Sequence, residues 1–134
     1  MSNSVYDVIE KFFINELKIS QTKFVILMYL SGAKSGLTQA EIARQWGVTD
    51  SAICGVVEGL EKGEFIKRVK STASDADKRE KIITITLKGQ QIFDRALVEY
   101  PQWLSKTIGD LDKSEQEKFI SHALQINKLF SRKD

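Results

Sequence analysis

The stretch Gln39–Leu60, QAEIARQWGVTDSAICGVVEGL, constrains this chain most. Its apolar residues Ile42, Trp46, Val48, Ile53, Val56 and Leu60 fall at helical offsets on either side of Gly47, with the small Ala43 in the first helix. Two helices that cross steeply need a short side chain at their closest approach, and Ala43 supplies it. The sharp turn between them needs a residue with φ > 0, which Gly47 adopts without steric cost. Start signals precede both helices. Thr38 and Glu41 have the spacing of a capping box, with Leu37 and Ile42 placed as a hydrophobic staple. Thr49 is placed to cap the second helix, with Val48 and Ile53 as its staple, and Gly63 stands where that helix should stop. The spacing is that of a helix-turn-helix, although two amphipathic helices joined by glycine also fit an ordinary helical hairpin in a core.

The flanking segments extend the pattern. Val5, Val8, Ile9, Phe12, Phe13 and Leu17 predict a helix over residues 4–17. The run TKFVILMYL, opened by Ser20 or Gln21, has almost no polar side and predicts a centrally buried helix that ends before Gly32. After Gly63, EFIKRVK and REKIITIT alternate in the manner of strands around the polar STASDADK, which predicts a β-hairpin. Thr86 is placed to cap LKGQQIFDRALVEYPQWLSKTI, where Pro101 should kink or break the helix near Tyr100. Asp112 and Glu115 form another capping box, opening a last helix through Phe119, Ile126 and Phe130.

Several function classes find no support. No apolar run approaches the roughly 20 residues of a membrane span, and the polar, acidic start MSNSVYDVIEKFF is unlike a signal peptide. A single cysteine, Cys54, excludes an internal disulfide and a multi-cysteine metal cluster, and fits a reducing cytoplasm. The one histidine, His122, sits in a helical pattern with no second histidine to join it. The glycines are too scattered for a phosphate loop, and Asp75 and Asp77 lie in a polar loop where they would be solvated. No catalytic residue, metal site or cofactor is therefore expected. The net charge of +2 does not by itself argue for nucleic acid.

Helices, a crossing helix pair, a hairpin and two further helices describe a mainly α (α+β) chain, a winged helix-turn-helix with a β-hairpin wing and helical extensions at both ends. In LTQAEIARQWGVTDSAICGVVEGLEKGEFIKR, in DKRE and in ITLKG, the chain resembles the MarR family of bacterial transcriptional regulators. Asp77 and Arg79 match that family's Asp-x-Arg wing signature, and Thr86 and Gly89 match its Thr-x-x-Gly helix opening. The resemblance covers about residues 18–98. It implies a single MarR-like domain, with residues 18–87 as the DNA-binding region and residues 1–17 and 88–134 as dimerisation helices. It further implies a cytoplasmic homodimer that reads a pseudo-palindromic site on double-stranded DNA, more often as a repressor, with a small-molecule effector as a further partner and no membrane partner.

Helical rotation turns Ile53, Val57 and Leu60 toward the core and Ser51, Ala52, Gly55, Glu58 and Lys62 outward, with Asp50 and Cys54 at the margins. The candidate DNA-binding residues are Thr49, Ser51, Ala52, Cys54 and Gly55 on the second helix, Arg44 on the first, and Lys78 and Arg79 in the wing. Ser51 can bond a base edge and Ala52 can touch a thymine methyl, whereas Gly55 offers only close approach. The resemblance assigns Arg79 to a minor groove and Asp77 to structuring the wing. Lys67, Arg68, Lys70 and Lys81 add charge along the hairpin, and Lys34 and Arg44 can meet phosphates. Cys54 is expected to be a partly buried structural thiol.

Three departures set the chain apart from its family: a short first helix, a long hairpin connection, and a second helix without arginine. They leave room for a rival reading, a winged helix whose face binds protein and has little DNA affinity. Val5, Ile9, Phe12 and Phe13 at one end, and Trp103, Phe119, Ile126 and Phe130 at the other, suggest a two-fold dimer interface. The same residues also fit the core of a single chain.

Overall fold

The computed structural model describes residues 5–70 and 81–121, with side chains from Asp7 onward. Wing residues Asp77, Lys78 and Arg79, together with His122, Ile126 and Phe130, lie outside the described residues, as does the side chain of Val5. The chain divides into two compact units: Thr22–Phe93, and the described residues up to Gln21 together with those from Asp94 onward.

In the Thr22–Phe93 unit, α2 (Gln21–Ser31) supplies the core with Phe24, Ile26, Leu27, Met28 and Leu30, as expected for a helix apolar on nearly every side. Its Phe24 stacks on Phe93 at a ring separation of 5.5 Å. Helices α3 (Gln39–Trp46) and α4 (Asp50–Lys62) follow, joined through Gly47 at φ 82°. Strands β1 (Ile66–Lys70) and β2 (Lys81–Ile85) pair antiparallel, with Ile66 opposite Ile85 and Lys70 opposite Lys81. Leu37 adds a short third position to this sheet through two backbone bonds with Ile83, at 2.7 and 3.0 Å.

Of the six apolar positions in the helix pair, Ile42, Ile53 and Leu60 are buried, Trp46 and Val56 are half-buried, and Val48 is exposed. Val57 completes the inward stripe of α4, because residues 53, 57 and 60 lie on one side of a helix and Val56 stands at the margin of that side, about 100° from Val57. Gly63 ends α4 but is not its left-handed residue: φ is −78° there and 64° at Glu64. The glycine serves another purpose, since a Cβ at Gly63 would meet the Phe65 ring at 2.7 Å.

The junction of hairpin and α5 (Leu87–Ile108) accounts for the Thr-x-x-Gly spacing. The Thr86 hydroxyl accepts the Gly89 N–H at 3.1 Å and donates to the Glu64 carbonyl at 2.7 Å. The Thr86 N–H reaches the Phe65 carbonyl at 3.0 Å, and a Cβ at Gly89 would lie 2.2 Å from that same oxygen. Of the kink or break expected near Tyr100, the break does not occur: helix α5 runs through Pro101 for 22 residues. The ring removes one N–H from the helical ladder, but apolar burial of α5 side chains on either side, at Ala96 and Trp103, favours continuation.

In the other unit, α1 (Val5–Phe12) continues into a widened turn, Phe13–Leu17, that buries Phe13 and Leu17 and ends at Lys18 in the left-handed region, φ 59°. Arg95 on α5 donates to the Glu16 carbonyl of this turn at 2.8 Å and bonds Glu99 through its Nε. The Glu99 carboxylate raises the pKa of that guanidinium above its ordinary value. Helix α6, described over residues 113–121, opens on a full capping box: Glu115 N–H to Asp112 at 2.8 Å, and Asp112 N–H to Glu115 at 3.1 Å. Phe12, Phe13, Tyr100, Trp103 and Phe119 form one aromatic cluster, with successive ring separations between 4.8 and 6.0 Å.

That cluster favours the second of the two roles expected of these residues. Ile9, Phe12, Phe13 and Phe119 are buried within the single chain and Trp103 is half-buried, so they are core. Burying rings inside one unit releases the same apolar area from water as burying them between two, and it needs no partner. Among the described residues of this unit, the large apolar side chains left exposed are Ile14, Leu97, Val98 and Ile120.

Candidate nucleic-acid interface

The helix pair is held by its caps. Thr38 Oγ1 accepts the Glu41 N–H at 3.1 Å, and Glu41 returns a carboxylate to the Thr38 N–H at 2.9 Å. Gly47 closes α3 by donating to the carbonyls of Ala43 and Arg44, and Val48 donates to Ala43. Two residues on, Thr49 Oγ1 accepts the Ala52 N–H at 3.2 Å and starts α4. Gln39 ties the two helices with a bond from Nε2 to the Asp50 carbonyl, 3.2 Å. These bonds fix the direction of α4 relative to α3.

On α4, Ile53, Val57 and Leu60 bury one side, and Asp50, Ser51, Ala52, Cys54, Gly55, Glu58 and Lys62 are exposed on the other. The front of this helix therefore carries short side chains, with Thr49 Oγ1 3.3 Å from Ser51 Oγ. Cys54 is exposed rather than partly buried. It lies one position past the buried Ile53, on the outward rotation, and its thiol points at Glu58 Oε1 at 3.6 Å.

Charge is distributed unevenly. Asp50 lies in the first turn of α4, where the helix dipole favours an anion, and Lys62 in the last turn is the only cation on the helix. Exposed cations surround it instead: Lys34 in the link after α2, Arg44 on α3, and Lys67, Lys70 and Lys81 on the strands. Arg68 does not belong with them. Its Nε forms an ion pair with Glu61 Oε1 at 3.1 Å, at an angle that is not a hydrogen bond, and its charge is spent on joining β1 to α4. Lys88 is also engaged, donating to the Gly63 carbonyl at 2.7 Å and lying 4.6 Å from the Phe65 ring centre.

The register places Lys70 directly opposite Lys81, both exposed. Like charges facing each other across a strand pair oppose folding, by roughly 0.2–1 kcal/mol. An anion bound between them would reverse that sign. Sequence reading had both lysines but not their pairing, because the long connection hides the register.

Among the described residues, no three His, Cys, Asp or Glu side chains gather into a metal site, and no helix is long and apolar enough to cross a membrane. Comparison with known proteins gives this geometry its place. A model described as MarR family matches residues 17–80. The HTH-type transcriptional repressor YetL of Bacillus subtilis is 29% identical over 133 residues, spanning 98% of this chain and 75% of that protein. What the chain resembles is the MarR family. The relatives it matches are HTH-type transcriptional regulators. The fold agrees with solved members. BldR of Sulfolobus solfataricus superposes with a TM-score of 0.66 at 24% identity, covering 95% of this chain and 84% of that one. The Staphylococcus aureus MepR–DNA complex superposes with a TM-score of 0.65 at 19% identity, covering 92% and 88%.

Proposed function

We propose that this chain is a MarR-family regulator that binds double-stranded DNA as a homodimer at a pseudo-palindromic site and represses transcription there. The observation that carries the reading is the exposed face of α4. A helix fixed by caps and by Gln39 presents Ser51, Ala52 and Gly55 without long side chains in front of them. Such a face enters a major groove, with Ser51 at a base edge, Ala52 on a thymine methyl, and Thr49 and Cys54 beside them. Arg44, Lys70 and Lys81 take phosphates, and the wing residues Lys78 and Arg79, braced by Asp77, reach the neighbouring minor groove. Residues 18–87 form the DNA-binding region in this reading, and residues 1–17 and 88–134 supply dimerisation through the exposed Leu97 and Val98. The dimer sets two α4 helices about one DNA turn apart, roughly 34 Å. The protein works in the cytoplasm, where Cys54 stays reduced.

The exposed carboxylates of Asp50 and Glu58 favour a second reading, docking of a basic protein surface on the same face. Selection of sites from random duplexes, followed by fluorescence anisotropy over a salt series, separates the two. The DNA reading expects an enriched inverted repeat and a steep salt slope, with Lys70→Ala and Lys81→Ala each lowering that slope by about one. No enrichment, with weak binding throughout, favours the protein-docking reading.

A further inference from the structure

We propose that Gly55 is the point at which bound DNA comes into van der Waals contact with the backbone of α4, so that this position gives up fold stability for DNA affinity. The inference rests on the DNA-binding reading above and deepens it. Gly55 stands in the interior of α4, where glycine destabilises a helix relative to alanine through its greater backbone freedom. Nothing in its own unit demands that cost. Among the described residues, a Cβ built at Gly55 finds no heavy atom within 4 Å, the backbone is not left-handed, and the residue is exposed.

Other glycines of the same unit contrast with it. Gly47 needs φ 82°, and Gly89 clears the Phe65 carbonyl. Gly59, one turn along α4, would bring its Cβ 3.1 Å from Lys23 Cε. Gly47 has a dihedral and Gly89 a backbone neighbour to satisfy, Gly59 has at least a flexible side chain beside it, and Gly55 has none of these. The reason for it must then lie outside the chain. Ser51 and Ala52, one turn earlier on the exposed side, are also short, so the helix backbone from 51 to 55 is open to a broad, rigid surface. A groove wall of duplex DNA has that shape. Any side chain at position 55 would hold it off by the depth of a methyl group or more.

The test compares the full-length chain with its Gly55→Ala and Gly59→Ala variants, by thermal melting and by anisotropy on the selected duplex. Gly55→Ala is expected to raise the melting temperature by on the order of 4 °C. The same variant is expected to weaken Kd about tenfold, the cost of a modest steric misfit. Gly59→Ala is expected to leave Kd within about twofold of the parent, since its methyl meets only the flexible end of Lys23. Unchanged affinity in Gly55→Ala overturns the proposal. So does a lower melting temperature, which would place the clash inside the chain. An equal loss in Gly59→Ala overturns it as well, by tracing the effect to a stiffer helix. Failure of the parent chain to bind any duplex is a different result, and it defeats the DNA reading itself.

Discussion

At the scale of the residue, single atoms decide where this chain tolerates change. The Phe65 carbonyl lies where a Cβ at Gly89 would stand, so Gly89→Ala must push α5 away from the end of the hairpin. We expect a loss of about 1–3 kcal/mol, read as a lower urea midpoint with an unchanged slope. Tyr100 shows a different constraint. Its hydroxyl is buried in the aromatic cluster without a hydrogen-bond partner among the described residues, and that burial pushes its pKa up to about 12. The folded state then holds a phenolic proton that the unfolded chain releases near pH 10. Stability is therefore untouched below about pH 10 and falls as pH rises from there toward 12. An ultraviolet titration of the three tyrosines should find one that ionises late, and its early ionisation would disprove the burial.

At the scale of the element, helix ends were the most legible part of the sequence. The boxes at Thr38–Glu41 and Asp112–Glu115 and the cap at Thr49 all form, because each depends on neighbours three residues apart. Thr38→Ala should cost about 1 kcal/mol in a denaturant melt, and an unchanged midpoint would show that α3 does not need its cap. What the sequence hid depends on distance along the chain. The Arg68–Glu61 pair removes a cation from the expected wing surface, and local spacing gives no sign of it. The Lys70–Lys81 pairing needed a register that the long connection leaves undefined. Exposure of Cys54 was misjudged for a simpler reason: thiols are usually buried, whereas helical rotation alone put this one at the margin. Pro101 likewise breaks no helix, because burial on both sides of it outweighs a missing bond.

For the whole molecule, the division between core and surface in the helical unit sets what a mutant can report. Phe12 is buried against Phe13 and Trp103, so Phe12→Asp should cost more than about 3 kcal/mol and unfold this unit instead of merely separating subunits. Leu97 and Val98 are half exposed, and the paired substitution Leu97→Lys with Val98→Lys should leave the fold intact while producing monomers in sedimentation. A folded double variant that stays dimeric would move the interface elsewhere. The contact between Leu37 and Ile83 acts at the same scale in the other unit. Those reciprocal bonds fasten the doorstep of α3 to the root of the hairpin, so neither can tilt without carrying the other. Hydrogen exchange should find the Leu37 and Ile83 amides opening together, at one rate. A duplex meeting this surface would then feel a caliper of set span, whose two jaws cannot adjust separately to a site of the wrong spacing.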